Sequence, residues 1–161
     1  MEITSSAFTE TDFMPARYTC DGENISPPLG WEGVPQEAES LVLLCEDIDS
    51  VEGIWSHWVV YRIPPSQQGL EEDLDLSRES SSSGRPSDML EGKNDFGEIG
   101  YGGPCPSDGK AHRYRFRLLA LKEPLDLPAG AVRESVLEEA REKMIDEAIL
   151  LTQYRLEEDR S

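Results

Sequence analysis

Two histidines, His57 and His112, are the only imidazoles in the chain. Each opens a stretch with the pattern of a β-strand. On the stretch that starts at His112, His112, Tyr114, Phe116 and Leu118 fall on one face, and Arg113, Arg115 and Arg117 on the other. The same counting puts His57 with Val59 and Tyr61, and Asp47 at the end of a row with Leu41, Leu43 and Cys45. Asp47, His57, His112 and Tyr114 therefore stand at strand ends on rows expected to face inward. Two imidazoles and a phenol can donate N–H and O–H groups to an oxyanion, and a carboxylate can fix a tautomer or raise a histidine pKa. The same set can also move protons as general acid and base.

Other chemistries find less support. There is no His pair at i,i+4, and no metal or other cofactor is expected. No G-x-S-x-G elbow is present. The glycines between Gly97 and Gly103 do not form a dinucleotide fingerprint, because no helix follows them. A Gly-Gly-Pro turn can still present backbone N–H groups to an anion. Cys20, Cys45 and Cys105 are odd in number and widely spaced, without a C-x-x-C pair. They are expected as separate, buried or half-buried thiols.

The elements that must position these residues read mostly as strands. Residues 40–47, 56–63 and 112–121 are short, apolar or alternating, and bounded by turn residues. The Pro and Gly punctuation between Pro15 and Pro35 leaves no room for a helix. One helix is predicted over about 131–144, from an apolar stripe of Val132, Val136, Leu137, Ala140 and Met144. A final strand follows, with Leu150, Thr152, Tyr154 and Leu156 alternating. Residues 66–98, with the run Ser80–Ser83, read as a long loop excursion. The expected fold is mostly β, an antiparallel β-sandwich with a late helix and a final strand, in a single domain over 1–161.

The formal net charge is −18, from 33 acidic and 15 basic residues. That balance argues against nucleic acid and anionic lipid surfaces as partners. No apolar run is long enough for a membrane span. The start Met1–Ser6 has no basic or apolar leader pattern, so the chain is expected in the cytoplasm. Only 4 of the 15 bases are Lys. Few Lys and many carboxylates suggest adaptation to high salt, where self-repulsion is screened.

Five segments together resemble the phosphatidylethanolamine-binding protein family, in its bacterial and archaeal Raf-kinase-inhibitor-like branch. They are Tyr18–Trp31, Glu46–Asp49, Ser56–Pro64, Asn94–Pro106 and Gly109–Tyr114, in that order and over nearly the whole chain. The resemblance implies a β-sandwich with a small anion-binding pocket near one end. By position it implies a ligand-binding set of Asp47, Asp49, His57, Gly103, Pro104, His112 and Tyr114. It further implies a binding or regulatory protein for phosphate or a phosphoethanolamine-like headgroup, more a non-enzyme than an enzyme. A kinase or protease is the protein partner it suggests, and a homodimer the assembly. Two alternatives stand beside this reading. One is a small-molecule enzyme using Asp47, His57 and His112, and the other is a pure protein-interaction module.

Overall fold

The computed structural model describes residues 1–76 and 88–159. Its strands are β1 (Glu2–Thr4), β2 (Leu29–Glu32), β3 (Ser40–Asp47), β4 (Trp55–Ile63), β5 (Gly69–Leu70), β6 (Leu90–Glu91), β7 (His112–Leu121) and β8 (Met144–Tyr154), and its helix is α1 (Arg133–Arg141). Five strands form an antiparallel sheet in the order β6-β4-β3-β7-β8, and three form a smaller one in the order β1-β2-β5. The expected antiparallel sandwich with a late helix and final strand is the architecture found.

The two faces of the large sheet explain the sequence pattern. One face carries Leu41, Leu43, Cys45, Trp58, Phe116 and Leu118, packed against Ile3, Leu29, Trp31 and Leu70 of the small sheet. The opposite face carries Val42, Leu44, Val59, Tyr61, Leu119 and Leu121, covered by Val136 and Ala140 of α1. A strand buried on both faces cannot alternate apolar with polar, which is why β3 is buried along all its length. Helix α1 is shorter than its apolar stripe. Val132 and Met144, the two ends of that stripe, are both partly exposed, and Met144 already belongs to β8.

The excursion over 66–98 is not loop throughout. Gly69–Leu70 joins the small sheet and Leu90–Glu91 joins the large one. The run Ser80–Ser83 lies outside the described residues.

The cysteine expectation is corrected. Cys20 and Cys105, 85 residues apart in sequence, form a disulfide, while Cys45 is a buried free thiol. Parity and spacing carry no information on tertiary proximity. Here the Cys20 N–H donates to the Pro104 carbonyl at 3.1 Å, which brings the two segments side by side.

The arginine stripe of β7 has an unexpected neighbour. Glu46 of β3 is fully buried, and both its carboxylate oxygens accept from arginines. Arg115 Nε donates to Oε1 at 2.9 Å. Arg117 Nη1 donates to Oε2 at 3.3 Å, and Arg133 Nε, from the first residue of α1, donates to the same oxygen. This cage ties the helix to the centre of the sheet.

Candidate functional site

Strands β4, β3 and β7 are adjacent, and their ends meet at one rim of the sandwich. In the register Asp47 lies opposite Trp55 on one side and Tyr114 on the other. His57 reaches the same spot by an irregularity. Cys45 pairs with Trp58 and Glu46 with Ser56, so β4 carries one extra residue, His57, against its partner. A β-bulge of this kind re-aims a side chain. Strict alternation groups His57 with Val59 and Tyr61, on the helix side. The bulge turns it instead onto the side of Tyr114, whose ring centroid lies 5.3 Å from its own. Gly102 holds the bulged residue from both ends: its N–H donates to the His57 carbonyl at 3.0 Å, and its carbonyl lies 2.6 Å from His57 Nδ1.

That last contact fixes the tautomer. A carbonyl only accepts, so Nδ1 carries a proton and the neutral ring leaves Nε2 with a lone pair. Burial, only partly opposed by the Gly102 carbonyl and the Asp47 charge, holds His57 below the usual imidazole pKa. His112 is tuned the other way. Burial disfavours its charged form, but hydrogen bonds and charge from Asp47 and Asp108 outweigh this and raise its pKa. Its Nδ1 lies 2.7 Å from Asp47 Oδ2 and its Nε2 2.9 Å from Asp108 Oδ2. Asp47 Oδ1 in turn accepts the Asp49 N–H at 2.8 Å, so both its oxygens are engaged.

Between these groups lies a cavity of about 220 Å³, lined by Asp47, His57, Asp108, His112 and Tyr114 among others. The Tyr114 hydroxyl is buried and makes no well-formed hydrogen bond. Burial and the nearby Asp47 charge push its pKa far up, which keeps it a neutral O–H donor. The lining has an apolar side and a polar one, the latter with Ser50, Glu52, Ser107 and Asp108. Trp55, Phe96 and Val51 make the apolar side, with Phe96 48% and Val51 89% exposed.

Four of the seven sequence-expected site residues therefore converge: Asp47, His57, His112 and Tyr114. The other three stand behind the wall. Asp49 is turned outward and grips Arg113, whose Nε and Nη2 donate to it at 2.9 and 2.8 Å. Those bonds hold its carboxyl below the usual range. The Gly103 N–H donates to Asn24 Oδ1 at 2.8 Å, and Pro104 accepts from Cys20. Gly103 is needed for close approach, since a Cβ there would meet the Tyr18 carbonyl oxygen at 2.2 Å. Both residues shape the turn that carries Cys105, which does line the cavity. Sequence reading missed Asp108, Phe96, Val51 and Glu52 as lining residues. The only signal for Asp108 was its place four residues before His112. Among the described residues no cluster of three or more His, Cys, Asp or Glu is arranged to hold a metal ion.

Known proteins share both the sequence and the shape of this chain. A family model described as phosphatidylethanolamine-binding protein matches residues 4–155. The UPF0098 protein of Methanothermobacter thermautotrophicus is 49% identical over 156 residues, 96% of this chain and 99% of that protein. The UPF0098 protein of Aquifex aeolicus is 42% identical over 157 residues, 96% of this chain and 88% of that one. Among solved structures, a putative phosphatidylethanolamine-binding protein homologue from Chlamydia trachomatis superposes with a TM-score of 0.85 at 37% identity, over 97% of each chain. YbcL of E. coli superposes with a TM-score of 0.86 at 28% identity, over 97% of this chain and 98% of that one. With a matching architecture, a match over almost its full length and the strand-end constellation in place, the chain belongs to the phosphatidylethanolamine-binding protein family.

Proposed function

We propose that this protein is a non-catalytic binding module whose rim cavity takes a small oxyanion, a phosphate or a phospho-headgroup, and which modulates a protein partner such as a kinase or protease. The family's fold is one of binding and regulation. The observation that carries the ligand reading is the Tyr114 hydroxyl. A buried O–H without a well-formed hydrogen bond costs stability. It lies between two imidazoles, in a cavity that a phosphate-sized group fits. The apolar side of the lining at Trp55 and Phe96 suits a ligand whose charged end is carried by a less polar body.

Calorimetry with inorganic phosphate, phosphoethanolamine and nucleotides tests this. Wild type is expected to bind at least one of them, and His112→Ala to bind it at least about tenfold more weakly, the loss of one charge-assisted hydrogen bond. Affinity should fall as pH rises through the His112 pKa, which lies above the ordinary 6.5, because the ring then loses its proton. Absence of binding by wild type removes the assignment.

One observation favours a second reading. The Asp47–His112 hydrogen bond is of the kind that orients an imidazole for proton transfer. Turnover in a screen of small metabolites, lost in His57→Ala, would replace the binding-module reading with an enzymatic one.

The acidity belongs to the surface in this proposal. Among the described residues only Glu46 and Asp47 are buried carboxylates. A coat adapted to salt predicts a melting temperature several degrees higher in molar KCl than in dilute buffer. Equal melting in both would remove the salt adaptation and leave the pocket reading intact.

A further inference from the structure

An oxyanion entering the cavity needs N–H groups with nothing on them. His112 has two ring nitrogens, and both are already occupied by carboxylates. Asp47 holds Nδ1 from the sheet side, at 2.7 Å and with 5% of its surface exposed. Asp108 holds Nε2 at 2.9 Å. The two carboxylates are built differently. Asp47 ends a central strand and is braced by the Asp49 N–H. Asp108 sits on the loop between Pro106 and the start of β7, is largely exposed, and its other oxygen is held by the Lys110 N–H of the same loop at 3.1 Å. Next to it, a Cβ built on Gly109 would meet no atom within 4 Å, so the tip of the loop stands clear of the body.

We infer that Asp108 is an internal ligand: its carboxylate occupies the oxyanion seat on His112 Nε2, and a phosphate gains that seat only when the Asp108 side chain swings out. The inference rests on the oxyanion reading above and adds to it the residue that sets how strong an anion must be to enter. A seat held by a tethered group lowers the apparent affinity of any external ligand by the fraction of time the seat is open. One part-buried charge-assisted hydrogen bond is enough to keep it closed about nine-tenths of the time. The ligand that enters must offer His112 a better partner than a carboxylate does. A phosphate fits that requirement, since it brings more negative charge and more acceptor oxygens to the same N–H.

The test is calorimetric titration of inorganic phosphate into wild type, Asp108→Ala and Glu52→Ala. Glu52 also lines the cavity, and its N–H donates to Ser50 Oγ and not to the imidazole of His112, so its removal measures the general effect of deleting one negative charge there. Asp108→Ala is expected to bind phosphate about tenfold more tightly than wild type, and Glu52→Ala less than threefold more tightly. In wild type, phosphate should also shift the Lys110 amide resonance, because Lys110 N–H loses its Asp108 acceptor on opening. Binding by Asp108→Ala that is equal to or weaker than wild type overturns the inference and leaves the pocket assignment standing. So does an equal gain in Glu52→Ala. Absence of binding in all three proteins overturns both.

Discussion

Glu46→Ala is expected to lower folding stability by about 3–5 kcal/mol, the range for breaking a buried ion pair by removing one partner. The carboxylate is fully buried and holds Arg115, Arg117 and Arg133 at once. Arg117 retains Glu147 at 2.8 Å after the change. Arg115 and Arg133 lose their main acceptor while three guanidiniums still face one another across a largely dry space. The nearest replacement for Arg133 is Glu134, at 3.8 Å and mostly exposed. Urea unfolding of Glu46→Ala measures the loss, and Glu23→Ala, which breaks an exposed pair with Arg17, serves as reference at about 0.5 kcal/mol or less. A loss below about 1 kcal/mol for Glu46→Ala would mean that the cage is not what joins α1 to the sheet.

Opening the Cys20–Cys105 disulfide is the second large effect. The bond closes a loop of 85 residues. A cross-link of that span restricts the unfolded chain by about 4.6 kcal/mol in the chain-entropy model, within a usual range of about 2–5 kcal/mol. Cys20→Ser/Cys105→Ser should therefore melt well below wild type, and a reductant should lower the melting temperature of wild type alone. An unchanged melting temperature would show that residual structure in the unfolded chain already restricts this loop. The same variant should bind phosphate more weakly, since Cys105 lines the cavity and the bond pins the turn from Gly102 to Pro106 against the Cys20 segment.

What could be read in the amino-acid sequence, and what could not, divides along physical lines. Strands β3 and β4 are legible because burial on both faces leaves long apolar runs, as in Leu41–Cys45 and Trp58–Tyr61, and β7 because its first half alternates between a buried and a more open face. Strands β1, β2, β5 and β6 are two to four residues each, too short for any period to register. The helix is visible from Val136 and Ala140, but its end is not, since Met144 continues the spacing while the backbone has already become extended. In the site, Asp47, His112 and Tyr114 follow from alternation on regular strands. His57 does not, because its orientation comes from a bulge. Asp108 lies on a loop, where nothing periodic marks a side chain that folds back. Glu46 reads as one polar residue in an apolar strand, and only the tertiary fold shows the arginines around it. The disulfide lacks a signal for the same reason: its two halves meet only through the packing of distant turns.

The bulge at His57 also bears on how related sequences should be read. A pleated strand has two phases, and an inserted residue moves everything beyond it from one phase to the other. A chain with the same letters around the histidine but one residue fewer between Trp55 and Trp58 would point its imidazole into the helix-covered layer, among Val59 and Tyr61. It would keep the motif and lose the pocket. Substitutions near His57 are then a milder change than a single-residue deletion. Whether a related sequence keeps this cavity is better judged by the length of this segment than by the histidine itself.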